Sequence, residues 1–314
     1  MWEITPPKVN DFDCLTGLCV AYANFLEKDY RICFAKTLGY YMLDMDDHLL
    51  LNRMHFCRPY SFFDLLERYC NMYLIETKHE NFESLKKHTM EGIKSSPIIF
   101  NIDAYDCPWC PVYHNYHFDH YLMIVDIDQD AFYCYDSYFP SKGIQKFLYT
   151  ELTNWSGISK SFLVVNDCEN YQDYKRELIE TLDYVDVIDY IQQIERLKNF
   201  VCHKDILLDN ISGYTKEPTH APFFLIFRSF VMQKKQLLLL LDFLCEKYPN
   251  DSDRLHQIEE LTKDIKLLYN SIHTVFLKRI LMKNYDMSSQ FMMFDKIIEK
   301  ETVVLQDLKS FASN

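Results

Sequence analysis

Glycine is scarce in this chain, six residues in 314, and proline adds only ten. Folds built from many tight turns, such as β-sandwiches, use more of both, so the scarcity favours long helices. Basic residues are also in deficit: 33 Lys and Arg against 46 Asp and Glu leave a net charge of −13. That balance argues against non-specific nucleic-acid binding, which depends on neutralising phosphates. The deficit is sharpest between Lys94 and Lys142, an interval with no Lys or Arg and seven acids. A face of that sign favours a cationic or amine-bearing partner. Long uninterrupted apolar runs are missing too. The most apolar stretch, 221–244, contains Arg228, Lys234 and Lys235, so the expectation is no membrane span but a helix buried on most sides. The opening MWEITPPKVNDFDC has neither a basic n-region nor a signal-type apolar run, and the eleven cysteines are odd in number and scattered. Reduced thiols and a cytoplasmic location are expected from this.

Apolar and aromatic residues are plentiful. Hydrophobic residues make up 48% of the chain, with 23 Tyr and 23 Phe, which excludes general disorder and allows one large core or two ordinary ones. Asp11 or Asp13 can cap a helix that starts near Cys14 and carries Leu15, Leu18, Cys19, Tyr22 and Phe25 along one apolar face. Short helices are expected over 30–41 and 61–69, a strand over 72–77, an Asn-capped amphipathic helix over 81–93 and a strongly apolar strand over 97–103. Residues 119–127 and 131–136 read as a hairpin. A turn over 137–142, a helix over 144–155 and a strand over 160–166 complete this part. Beyond residue 170 the texture changes to four helical runs, 171–200, 220–248, 252–282 and 288–311, with Leu and Ile at helical spacing. The expected fold class is therefore α+β over 1–168, followed by a helical bundle over 169–314.

The hairpin carries the chemistry. His120 opens its first strand and Asp136 closes its second, and antiparallel pairing brings those two ends together. An imidazole held by a carboxylate is the orienting half of a nucleophile triad, and Cys14 at a helix start, where the helix dipole favours thiolate, supplies the missing thiol. The stretch from Ala104 to His120 offers a second possibility. Cys107 and Cys110 have C-x-x-C spacing and are followed by His114 and His117, a donor set that suits zinc. A redox C-P-W-C motif and a purely structural aromatic loop, forming one wall of the site, are the alternatives.

The order Cys, His, Asp on a helix followed by an antiparallel sheet resembles the papain-like fold. More closely, the chain resembles the family of the butirosin biosynthesis protein H N-terminal domain, in the early Cys14, the strand P-I-I-F-N-I-D (97–103), the aromatic loop 105–116, the H-F-x-H step 117–120 and the D-closed hairpin 133–138. The resemblance spans roughly residues 9–166. It implies an acyltransferase or thioesterase in natural-product biosynthesis, in which Cys14 attacks an acyl group presented on the phosphopantetheine arm of a carrier protein, and an amine-bearing small molecule or water resolves the acyl-enzyme. No resident cofactor is implied. Papain-like enzymes often place a Gln before the Cys as oxyanion donor; here Asn10 is the residue available, beside the Cys14 backbone N–H. A cysteine peptidase is the alternative activity, and a non-catalytic partner of a biosynthetic synthetase the second alternative. Arg228, Lys234, Lys235, Lys278, Arg279 and Lys283 are the basic residues with which the helical part would meet an acidic carrier domain.

Overall fold

A computed structural model describes residues 2–4, 6, 12–37, 40–43, 54–57, 62–115, 117–165, 173–184, 187–202, 222–282 and 287–314. Its contacts divide the chain into two compact units, Met1–Tyr30 with Phe63–Tyr171, and Arg31–Phe62 with Gln172–Asn314. The division near 171 lies close to the boundary expected after 168. The segment Arg31–Phe62 differs: expected in the first domain, it clusters with the helical part. Ion pairs accompany this packing. Arg31 reaches Asp242 and Glu246, each at 2.6 Å, and the fully buried Lys36 ammonium lies 3.1 Å from the Glu177 carboxylate.

The first unit is α+β. Helix α1 (Cys14–Phe25) is capped by Asp13, whose carboxylate accepts from the Thr16 N–H at 2.9 Å. Its expected single apolar face is wider than the spacing implied, because Thr16 to Ala23 are all buried. In the first unit the chain continues through α2 (Phe62–Cys70), which begins at the unit boundary, β3 (Met72–Lys78) and α3 (Phe82–Gly92), then β4 (Ile98–Asp103), β5 (Asp119–Ile127), β6 (Ala131–Tyr135), β7 (Gln145–Leu148) and β8 (Trp155–Val164). Asn81 caps α3 in a reciprocal capping box with Ser84. The six strands form one antiparallel sheet in the order β3-β8-β4-β5-β6-β7. Phe100, Ile102, Leu122, Ile124, Cys134 and Phe147 from its strands form one core cluster with Leu85 of α3 and with Cys107 and Cys110. Tyr22 of α1 packs against Phe162 of β8 at 4.6 Å between ring centroids.

Two expected helices are not formed. Over 144–155 the chain instead makes β7 and a short 3-10 turn, Tyr149–Glu151. β7 hydrogen-bonds along β6, pairing Ala131 with Leu148 and Phe132 with Phe147, and it sends Phe147 into the core. A tertiary partner therefore overrode a weak local preference. Over 30–41 there is a 3-10 helix, Arg31–Thr37, and then a strand of the second unit, Tyr40–Leu43, paired antiparallel with Met54–Cys57. The strand expected from 160 begins at Trp155.

The rest of the second unit comprises helices α4 (Tyr174–Tyr184), α5 (Val187–Cys202), α6 (Pro222–Lys247), α7 (Ser252–Leu281) and α8 (Phe291–Ser313). Among the basic residues proposed for carrier docking, Lys234 is corrected: its ammonium is buried and lies 2.5 Å from the Glu301 carboxylate, itself fully buried. Tyr190 donates to the same carboxylate at 3.1 Å. The helix that looked apolar with three interruptions thus turns one of them inward. Arg228 and Lys278 are exposed and Lys235 and Arg279 half-buried, while Lys283 lies outside the described residues.

The buried pair yields a stability prediction. Lys234→Ala leaves the Glu301 charge without its partner and is expected to cost about 3–5 kcal/mol. The double replacement Lys234→Met with Glu301→Leu removes both charges and is expected to lie close to wild type. Denaturant unfolding of the three proteins measures this, and equal losses in the single and double variants would contradict it.

Candidate active site

Two strand ends and one helix start converge. In β5, His120 pairs across to Ile102 of β4 and its side chain is fully buried. One residue past β6, Asp136 is 1% exposed. The hairpin brings the two together as its ladder dictates: His120 Nε2 lies 2.8 Å from Asp136 Oδ2. Asp136 has two further donors. The Trp109 indole N–H reaches Oδ2 at 2.8 Å, and the Tyr138 backbone N–H reaches Oδ1 at 2.9 Å. A buried carboxylate with three donors is held in one orientation, and it holds the imidazole in turn. The Tyr138 ring stacks on the imidazole at 5.5 Å, with the Phe118 ring edge-on at 6.2 Å.

Cys14 comes from the first turn of α1 and is half-buried. Nε2 of His120 is taken by Asp136, and Nδ1 has no hydrogen-bond partner among the described residues, so Nδ1 is the nitrogen free to serve a nearby group. Burial alone would lower the His120 pKa, but the hydrogen bonds and charges of Asp136 and Cys14 outweigh it and raise it from 6.5 to about 9. Helix and hairpin are fastened at Cys14 itself. Ser137, next to Asp136, donates its hydroxyl to the Cys14 carbonyl at 3.0 Å. The approach is so close that a Cβ on Gly17 would stand 2.8 Å from the Ser137 Cβ, which is why one of the six glycines sits inside a buried helix.

A second thiol lies near the pair. Cys107 Sγ, a nitrogen of His120 and an oxygen of Asp136 all fall within 4.8 Å of one another. Cys107 is fully buried, and burial first, then the Asp136 charge and Cys110, push its pKa far up. A protonated, inaccessible thiol is a poor nucleophile, whereas Cys14 is only half-buried. Spacing gave no hint of Cys107 in this role. Trp109 was equally hidden: the aromatic loop was expected as a wall, and its indole turns out to be a ligand of the orienting carboxylate.

The four residues considered for zinc do not gather into one site among the described residues. Cys107 and Cys110 are buried in the core cluster. His114 and His117 stack on Tyr105 at 5.1 and 4.3 Å, and His117 Nδ1 is held by Asp103 at 2.7 Å. The C-P-W-C segment forms successive turns with no helix after it, unlike the thioredoxin-type arrangement. Asn10, considered as oxyanion donor, lies outside the described residues.

Neither the family models nor the curated proteins searched contain a match to the chain.

Two outcomes follow from this geometry. Trp109→Phe removes one charge-assisted hydrogen bond from Asp136 and is expected to cost about 1.5–3 kcal/mol in denaturant unfolding; a change near zero would mean that the indole does not hold the carboxylate. The second concerns pH. Because the folded pKa of His120 is raised from 6.5 to about 9, its protonated form stabilises the fold. That contribution is complete below about pH 6.5 and is lost as pH rises through about 9. Unfolding measured between pH 6 and 10 should show wild type losing stability over this window relative to His120→Gln, and parallel profiles would count against the shifted imidazole.

Proposed function

We propose that the chain is a cysteine acyltransferase or thioesterase that works through an acyl-enzyme on Cys14. The observation that carries the reading is the buried His120 held by Asp136 through Nε2 at 2.8 Å, with Nδ1 left unpartnered among the described residues and Cys14 fastened beside Asp136 by the Ser137 hydroxyl. Cysteine acyl transfer needs those elements: a nucleophilic sulfur, an imidazole to carry the proton, and a group that fixes the ring. The resemblance to the butirosin biosynthesis protein H N-terminal domain family supplies the substrate class, an acyl thioester on a carrier protein's phosphopantetheine arm. A papain-like arrangement of the site belongs to the same reading.

The reaction runs in two halves. In the first, the Cys14 thiolate attacks the thioester carbonyl carbon and a new C–S bond forms. The tetrahedral adduct collapses, the bond to the pantetheine sulfur breaks, and the His120 imidazolium delivers its proton to that leaving thiolate. His120 is then neutral. In the second half, an amine or water attacks the acyl-enzyme, His120 takes the proton released by the attacking group, and Cys14 leaves as thiolate beside the regenerated imidazolium. The proton balance closes over the cycle. Asp136 keeps Nδ1 aimed at the sulfur throughout by holding Nε2. The backbone N–H of Cys14, at the start of α1, is the oxyanion donor that the described residues offer, with the Asn10 amide proposed as the second. Arg228, Lys235, Lys278 and Arg279 remain the residues proposed to meet an acidic carrier domain.

Incubation of wild-type protein with acyl-pantetheine thioesters and intact-mass measurement tests the reading. The expected result is a mass gain of one acyl group that maps to Cys14, is absent from Cys14→Ala, and forms at least about a hundredfold more slowly in His120→Ala. A mass gain that survives Cys14→Ala places the nucleophile elsewhere. Cleavage of peptides with no thioester donor present would move the assignment to a cysteine peptidase.

A further inference from the structure

On the first unit lies an open cleft of about 410 Å³, within the size range of small-molecule sites, roughly 300–1,000 Å³. Its carboxylates are Asp103 and Asp119, which stand directly opposite each other across the β4–β5 ladder. Like charges in that position repel and destabilise a sheet unless something lies between or beside them. Asp103 has compensation from His117, at 2.7 Å, and from the backbone N–H groups of Tyr105 and Phe118 at 2.9 and 3.3 Å. Asp119 is exposed and has no ion pair among the described residues, and no Lys or Arg is among the cleft's described lining. A second observation points to a ligand. The Asn101 side chain opens into the same cleft, is 5% exposed, and has no hydrogen-bond partner among the described residues. Its amide meets solvent through the cleft, where a ligand's polar group can take the place of water.

We propose that this cleft binds the primary ammonium group of a small organic molecule. A tetrahedral ammonium donates three hydrogen bonds, and the Asp119 carboxylate, the Asp103 carboxylate and the Asn101 amide oxygen are the acceptors offered. The site is distinct from the Cys14 chemistry proposed above and does not rest on it. Asn101, Asp103 and Asp119 alternate along their strands with Ile102 and His120, so the ladder turns them to the face of the sheet opposite to the imidazole.

Isothermal titration of the full-length protein with putrescine, at constant ionic strength, tests the proposal. Wild type is expected to bind saturably with one site, and Asp119→Asn, an exposed isosteric change, to weaken the affinity by about tenfold or more. Butane-1,4-diol, which has the same length and no charge, is expected not to bind. Absence of putrescine binding to wild type, an unchanged affinity in folded Asp119→Asn, or equal binding of the diol would each overturn it. Saturable binding of calcium chloride at the same cleft, abolished by Asp119→Asn while putrescine gives no heat, would overturn it in favour of a metal.

Discussion

The buried hydrogen bond between His120 and Asp136 is the constraint on which the first unit's site depends. A carboxylate and an imidazole taken out of water must satisfy each other and find donors for what remains. Asp136 does so with the Trp109 indole and the Tyr138 backbone N–H, so three separate segments are tied to one side chain. The sheet fixes the pair, since His120 lies in β5 and Asp136 immediately after β6. Helix α1 is then brought against the same point by the Ser137 hydroxyl bond to the Cys14 carbonyl. Gly17 makes that approach possible.

Charge is buried in the second unit as well, but there it joins helices. Lys36 with Glu177, and Lys234 with Glu301 and Tyr190, connect segments far apart in sequence. The first pair lies in Arg31–Phe62, the segment that clusters with the helices although it interrupts the first unit in sequence. Such pairs contribute little net stability over well-packed apolar groups, but separating them is costly, and they therefore select one arrangement of the chain.

Much of the first unit was legible in the sequence because its signals were local. The β5 run 119–127 has the bounds read from its apolar residues, the Asn81 cap opens α3, and Asp13 caps the helix that starts at Cys14. The meeting of His120 and Asp136 followed from hairpin geometry alone. What escaped depended on partners distant in sequence. β7 is a strand because β6 offers it an edge, and no window around 144–155 contains that information. Trp109 and Cys107 reach the Asp136 region through loop turns whose course has no periodicity to read. Lys234 sat among Leu residues and looked like surface because its partner, Glu301, is on another helix. The separation of Arg31–Phe62 from its sequence neighbours was hidden for the same reason.

The central claim is that Cys14, His120 and Asp136 act on one another as a unit. The most direct test is the NMR titration of the His120 ring in wild type, Cys14→Ala and Asp136→Asn. The account predicts a wild-type pKa of about 9, lowered when Cys14 is removed and lowered again when Asp136 loses its charge. A His120 that titrates near its ordinary value of 6.5, or one unmoved by Cys14→Ala, would contradict it.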